Sequence, residues 1–179
     1  MISLSVLFWL FIIIFALVGA IRGWAKELLV TFSVFMALFC ITVLENYVSP
    51  IKAFLIASPV TTQVWLRLIV MVMVVFFGYQ TPNLPRFLEN SRFMRERFQD
   101  AALGFILGGF NGFLIFGSIW YFLHVANYPF PIIIPPIAGT PAGDAALSLI
   151  PYLAPFWLVS PVIYYAVAIA FVFVLVVFI

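Results

Sequence analysis

The chain has 179 residues, of which 66% are hydrophobic and 8% are charged, and its mean hydropathy is +1.27. No water-soluble domain of this length has such a composition, so we expect an integral membrane protein. The net charge of +2 is too small to indicate a nucleic-acid partner. With one cysteine and one histidine, the chain lacks the residues for a disulfide framework, a zinc site or a catalytic triad, so we expect no enzymatic activity.

Two apolar segments open the chain. Residues 2–20 would form a helix of roughly 28 Å, enough to cross a hydrocarbon core of about 30 Å. No basic region precedes this run, and it is too long for the apolar part of a cleaved signal peptide. After a polar interruption at 22–27, residues 28–44 predict a second crossing, so the two crossings form a tight hairpin. Small residues lie on one face of each crossing: Ala16, Gly19 and Gly23 on the first, and Ser33, Ala37 and Cys40 on the second.

The middle of the chain predicts one more crossing and a charged surface helix. Residues 45–63 contain two prolines and predict a loop. Residues 64–80 follow as a third crossing, and large side chains on nearly every side place it at the periphery, against lipid or a partner. Residues 86–100 carry the densest charge and predict a short helix at the lipid headgroups. The basic residues predicted to contact headgroups are Arg86, Arg92, Arg95 and Arg97.

The fourth crossing, residues 100–124, carries large side chains on most sides and mainly glycine on one side. Gly104, Gly108, Asn111 and Gly112 share about one third of the helix circumference. A bare face lets another backbone approach closely, which is the usual way in which helices associate in lipid. We therefore predict an all-α fold in which the first, second and fourth crossings pack tightly through stripes of small residues.

The last part of the chain predicts a loop and a fifth crossing. Residues 127–161 hold eight of the twelve prolines and no lysine or arginine, so they cannot form a continuous helix. They are too apolar for a solvated linker and are expected on the membrane surface or against a partner. Within them, Thr140-Pro141 predicts the start of a short helix. The predicted units are a four-helix membrane core (1–126), a proline-rich apolar outer-face loop (127–160) and a fifth transmembrane helix (161–179).

The basic residues predict the orientation. With the N-terminus outside, the inner loops carry six basic residues and the outer side carries two, so N-out, C-in is favoured. This topology places Arg22 and Asp100 at the same membrane face. We predict that they form an ion pair between two glycine-bearing helices. In the alternative, Arg22 is a topology anchor and Asp100 is a charge at a helix N-terminus.

His124 is the one candidate cofactor ligand. It is either an interfacial histidine in an aromatic belt with Trp120 and Tyr121, or a neutral imidazole that binds a porphyrin-like pigment at a partner interface. Apart from this possible ligation by His124, we predict no cofactor. Contacts with a tetrapyrrole pigment or a carotenoid are expected only if the chain is a subunit of a pigment-containing assembly.

Two stretches carry a family resemblance. Residues 19–28, GAIRGWAKEL, contain an Arg-Gly pair followed two residues later by Lys26-Glu27, and residues 100–112 contain Asp-x-x-Leu-Gly-x-x-x-Gly-x-x-x-Gly. Together they resemble the colicin V production (CvpA) family of bacterial inner-membrane proteins, over roughly residues 2–125. The chain departs from that family at Asp100-Ala101 and Asn111-Gly112, where the family tends to have Asp-Arg and a second Arg-Gly.

The sequence leaves three possible functions for this protein. The resemblance implies a non-enzymatic, multi-pass protein of the bacterial inner membrane that acts in colicin V export and envelope homeostasis. The alternative is an accessory subunit of a bioenergetic complex, such as a photosynthetic reaction centre with its light-harvesting antenna. No internal polar path, an extra apolar loop and a fifth helix ending at Ile179 favour that alternative. A secondary transporter is disfavoured because the acidic residues lie at helix ends. The expected partners are membrane lipid and other membrane protein subunits.

Overall fold

The computed structural model describes residues 4–80 and 94–178, and within them it contains helices and no strand, which confirms the all-α class. Four helices, α1, α2, α4 and the part of α5 from residue 97, are long and apolar enough to cross a membrane, whereas α8 is a shorter apolar helix. The helices are α1 (Leu4–Arg22), α2 (Trp24–Asn46), α3 (Ser49–Ala57), α4 (Val60–Tyr79), α5 (Met94–Val125), α6 (Pro141–Leu149), a 3-10 turn (Ile150–Tyr152), α7 (Ala154–Trp157) and α8 (Val162–Phe178).

Helix α5, which contains the predicted fourth crossing, and helix α2 together form the centre of the bundle. Gly104 meets Gly19 and Gly112 meets Ile12, so α1 runs antiparallel to α5 and packs along its length. Helix α2 lies on another side of α5 and runs parallel to it, because its start lies beside Asp100 and its second turn lies beside Asn111.

Helices α4 and α8 pack on α2 and run antiparallel to it. The direction of the long helices therefore alternates along the chain, as successive crossings of one membrane require. The contacts that establish these directions are Ser33 with Gly78 and Glu45 with Arg67 for α4, and Phe32 with Phe171 and Phe39 with Tyr164 for α8.

The turn between α1 and α2 is the single residue Gly23. Its φ of 86° lies in the left-handed region that favours glycine. A Cβ atom here would also lie 2.8 Å from a carboxylate oxygen of Asp100. The predicted hairpin of α1 and α2 therefore has a one-residue turn, but the two helices make few contacts with each other, because α1 packs mainly against α5 and α2 packs against α4, α5 and α8.

Two predicted boundaries differ from the structure. The predicted loop at 45–63 contains α3, because Pro50 lies in the first turn of that helix, where a missing N–H group is tolerated. Residues 94–100 continue directly into α5 instead of forming a separate surface helix, so Asp100 lies two turns inside its helix. Residues 81–93, which include Arg86 and Arg92, lie outside the described part of the chain.

The proline-rich region contains short helices that pack on the end of the bundle opposite the α1–α2 turn. Helix α6 starts at Pro141, as predicted, and the Thr140 hydroxyl caps it by accepting a hydrogen bond from the Gly143 N–H at 3.1 Å. Beyond α6, Leu153 is fully buried and packs with Phe8 of α1 and Trp120 of α5. The region therefore folds against the ends of two long helices.

Candidate functional site: a polar junction of four helices

The predicted small-residue stripe forms a close seam between α1 and α5. A Cβ atom on Gly19 would lie 2.7 Å from the Gly108 Cα, and a Cβ atom on Gly108 would lie 2.8 Å from the Gly19 Cα. Gly104 faces the Gly19 carbonyl, and a Cβ atom on Gly112 would lie 3.0 Å from the Ile12 Cα. Ala16 is buried in the same seam. The two backbones are in van der Waals contact here, so larger residues do not fit.

The small face of α2 has a different partner from the one expected. Ser33 lies against Gly78 of α4, so the third crossing, predicted to be peripheral, contacts this face. Ala37 is fully buried in the main apolar cluster, and Cys40 is half-buried. Both α2 and α5 contribute residues to this cluster, and they are also joined by polar side chains, which form the centre of the candidate site.

This site, which we name the polar junction, contains Arg22 of α1, Glu27 and Thr31 of α2, Tyr79 of α4 and Asn111 of α5. Glu27 and Asn111 are completely buried. Ionisable groups buried among membrane-spanning helices are uncommon and usually functional. The junction is therefore the strongest candidate for a functional site in the described part of the chain.

Glu27 uses both of its carboxylate oxygens. Arg22 Nη1 donates to Oε1 at 2.6 Å, and Asn111 Nδ2 donates to Oε2 at 2.8 Å. The Asn111 amide nitrogen also lies 2.9 Å from the Glu27 carbonyl oxygen, and its Oδ1 accepts from the Thr31 hydroxyl at 2.6 Å. Each polar atom of the Asn111 side chain thus has a partner on α2, which fixes the position of α5 relative to α2.

Arg22 connects α1 to α4 as well as to α2. Its guanidinium carbon lies 4.3 Å from the centre of the Tyr79 ring, a cation–π arrangement, and Nη2 lies 3.4 Å from the Tyr79 carbonyl oxygen. The charge of Glu27 is therefore balanced by one arginine that also packs on an aromatic ring. Together these contacts join α1, α2, α4 and α5 at one level of the bundle.

The structure corrects the predicted pairing of Arg22 with Asp100. Arg22 pairs with Glu27, which is five positions away across the α1–α2 turn. Asp100 instead accepts a hydrogen bond from the Trp24 N–H at 3.1 Å. Its carboxylate thus caps the N-terminus of α2, where a negative charge is favourable, and not the N-terminus of its own helix.

The capping role predicts the effect of two substitutions. Asp100→Asn should leave stability nearly unchanged, because an asparagine oxygen accepts the same hydrogen bond, whereas Asp100→Ala should lower it by about 1 kcal/mol. The two variants are compared by thermal unfolding of the purified protein in detergent. Equal destabilisation by both variants would show that the charge of Asp100 matters more than its capping bond.

His124 lies in an aromatic cluster at the C-terminal end of α5. Its Nδ1 is 3.2 Å from the Tyr128 hydroxyl, which accepts a hydrogen bond from Trp120 Nε1 at 3.2 Å. Burial raises the pKa of Tyr128, so its hydroxyl stays protonated and can donate to His124. The interfacial and the pigment-binding interpretations of His124 both stay predictions. The predicted neighbour Tyr121 packs on Phe156 of α7.

The predicted headgroup residues are only partly described. Arg97 is exposed at the start of α5, the backbone of Arg95 is helical, and Arg86 and Arg92 lie outside the described residues. A second ion pair lies elsewhere, where Arg67 Nε donates to Glu45 Oε1 at 2.6 Å between α4 and α2.

Sequence reasoning missed the junction, although the chain contains a signal for it. Glu27 and Thr31 are four positions apart and therefore share one face of α2. Asn111 is the one amide in the middle of a predicted crossing. A polar pair on one helix and an amide inside another are the groups that form hydrogen bonds between membrane helices.

Comparison with known proteins identifies the family. A family model described as colicin V production protein matches residues 4–136, about three quarters of the chain. The match includes α1 to α5 and every residue of the polar junction. No curated protein and no solved structure matches the chain. The match confirms the resemblance noted in the two glycine-containing stretches, and the chain belongs to the colicin V production protein family.

Proposed function

We propose that this protein is a non-enzymatic, multi-pass protein of the bacterial cytoplasmic membrane that acts in export or envelope homeostasis. It acts by associating with other membrane proteins. Membership of the colicin V production family supports the cellular role. The observation that carries the mode of action is the saturation of the Glu27 and Asn111 side chains in the polar junction, whereas the buried Tyr79 hydroxyl beside them has no hydrogen-bond partner among the described residues. Both oxygens of Glu27 and both polar atoms of Asn111 are bonded to protein groups.

Because the hydrogen-bonding atoms of Glu27 and Asn111 already have protein partners, a structural role is favoured for these two side chains. A transport site must exchange its bonds for bonds to an ion or substrate. Here each such exchange would leave Arg22 or Asn111 without its partner in an apolar bundle, which is costly. The junction is therefore best suited to hold four helices in one arrangement.

We propose five crossings with the N-terminus outside. The excess of basic residues on the proposed inner side and the alternating directions of α1, α2, α4, α5 and α8 support this topology. It places the polar junction towards the cytoplasmic side and the short helices α6 and α7 outside. The exposed apolar faces of α1 and α4 then contact lipid or partner helices; they include Trp9, Ile13, Leu17, Ile69, Val72 and Phe76.

Deletion of the gene tests the cellular role. The deletion strain should export less colicin V from a producing plasmid and survive less well under envelope stress imposed by a detergent, and the wild-type gene should restore both. Unchanged export and survival would contradict the proposal. Co-migration of the protein with pigment or haem proteins on a native gel would support the accessory-subunit function instead.

Reconstitution tests the mode of action. Proteoliposomes that contain the purified protein should show the same proton and ion leak as empty liposomes, because the side chains of Glu27 and Asn111 are already bonded to protein groups. Flux above that of empty liposomes, abolished by Glu27→Gln, would identify a transporter and overturn the proposal. A pore-forming peptide serves as the positive control.

A further inference from the structure

An apolar cleft lies between α2 and α8, on the side of α2 that faces away from α4. Its volume is about 270 Å³. The cleft exists because α8 presents two alanines at i and i+4 to a face of α2 that carries phenylalanines. Its principal lining residues are Thr31, Phe32 and Phe35 of α2 and Ala166, Ala170 and Phe173 of α8.

The shape of the cleft fits a single hydrocarbon chain. The lining residues of α8 extend from 166 to 174, which at 1.5 Å per residue is roughly 12 Å along the helix axis. A volume of about 270 Å³ over roughly that length corresponds to a mean diameter of about 5 Å. An α-helix with its side chains is about 10 Å wide, so the body of a partner helix is too wide for the cleft.

The chemistry of the lining also points to hydrocarbon. Only apolar atoms face the cleft. The one lining residue with a polar side chain, Thr31, directs its hydroxyl to Asn111 in the polar junction. A cavity of this kind excludes water and accepts apolar groups. The cleft opens beside the exposed apolar residues Ile169 and Phe171, so bilayer hydrocarbon is the surrounding phase.

We propose that this cleft binds one acyl chain of a membrane phospholipid. The lining of α2 begins at Leu28, about one turn beyond Trp24, so the chain enters from the headgroup layer on the membrane face where α2 starts. The bound chain packs against Thr31, which holds Asn111. Lipid occupancy therefore supports the α2–α5 contact of the polar junction.

Photo-crosslinking of the wild-type protein tests the site. The probe is a phosphatidylethanolamine with a diazirine in the middle of one acyl chain, mixed into vesicles that contain the full-length protein. Mass spectrometry should place cross-links on peptides that cover residues 28–35 and 166–174, above the level on the lipid-facing side of α4. Cross-links spread evenly over all exposed helix faces would overturn the proposal.

Two variants of α8 provide the matched comparison. Ala170→Phe fills the cleft, whereas Val172→Phe adds a ring at a position that is 57% exposed and outside the lining. Ala170→Phe should lower cross-linking in the cleft by at least about tenfold, since losing burial of two methylene groups already has that effect. Val172→Phe should retain the wild-type level.

Three results would contradict the site. They are equal labelling of the two variants, co-purification of an isoprenoid in place of a phospholipid, and cross-linking of the cleft to a partner polypeptide. If Ala170→Phe does not fold, Ala166→Leu narrows the same cleft by less volume and is compared with Val172→Leu. The wild-type cross-linking map decides the question without either variant.

Discussion

Replacement of Gly108 by alanine is expected to destabilise the bundle by about 3 kcal/mol or more, whereas the same replacement at the adjacent Gly109 should have little effect. The Gly108 Cβ would overlap the Phe15 carbonyl oxygen and lie 2.8 Å from the Gly19 Cα. These neighbours are backbone atoms of α1, so no change of rotamer relieves the overlap. The helices must separate along the seam.

Gly109 is a matched control because it belongs to the same turn of the same helix. A Cβ atom there would lie 3.4 Å from the Ala16 Cβ, close to ordinary van der Waals contact. Both variants are measured by reversible unfolding in mixed micelles and by the yield of monodisperse protein. If Gly108→Ala is as stable as Gly109→Ala, the seam does not hold α1 and α5 together.

Removal of the Glu27 carboxylate is the second substitution with a large expected effect. Glu27→Ala should destabilise the protein by about 3 kcal/mol, because it leaves the Arg22 charge without its partner and the Asn111 amide without an acceptor. Arg22 is 18% exposed and its long side chain can turn towards the headgroups, which places the loss at the lower end of the range for buried pairs.

The Arg67–Glu45 pair provides the control for Glu27. Its ion-pair distance, 2.6 Å, is the same, but the Glu45 side chain is 23% exposed, compared with 1% for Glu27. Glu45→Ala should therefore lower stability by less than about 1 kcal/mol. If the two variants lose similar amounts of stability, the burial of Glu27 and its bond to Asn111 do not contribute to the stability of the protein.

A double-mutant cycle separates the ion pair from the rest of the junction. If Arg22 and Glu27 interact as the structure shows, the loss in Arg22→Ala/Glu27→Ala should be smaller than the sum of the single losses by about 1–3 kcal/mol. The same cycle with Arg22 and Asp100 should be additive within about 0.5 kcal/mol. A large coupling in the second cycle would restore the pairing first predicted from the sequence.

Much of the fold could be predicted from the sequence because hydropathy and periodicity are local properties. Composition alone indicates the membrane class, and the four helices that are long and apolar enough to cross a membrane match predicted apolar runs within a few residues, as does the shorter helix α8. The Gly104–Gly108 face of the fourth crossing indicates close backbone contact, because small residues on one side of a membrane helix let a second helix approach closely. The family motifs are likewise short stretches of sequence.

The ion-pair and hydrogen-bond partners of individual side chains could not be predicted from local properties of the sequence. Arg22 was predicted to pair with Asp100, and no local pattern indicates that Glu27 is its partner instead. The decision depends on Gly23, whose left-handed φ turns the start of α2 so that Glu27 faces Arg22 and the Trp24 N–H faces Asp100. The proline rule failed at Pro50 because the effect of proline depends on its position within a helix.

By itself, the sequence determined that this is an all-helical membrane protein of the colicin V production family, with a glycine-lined helix at its centre. Only the tertiary structure showed the polar junction, because its bonds join residues up to 84 positions apart. Hydrophobic burial depends on the composition of each segment and can be estimated locally. A hydrogen bond or ion pair requires two groups within about 3 Å, and the packing of the whole bundle decides which groups come that close.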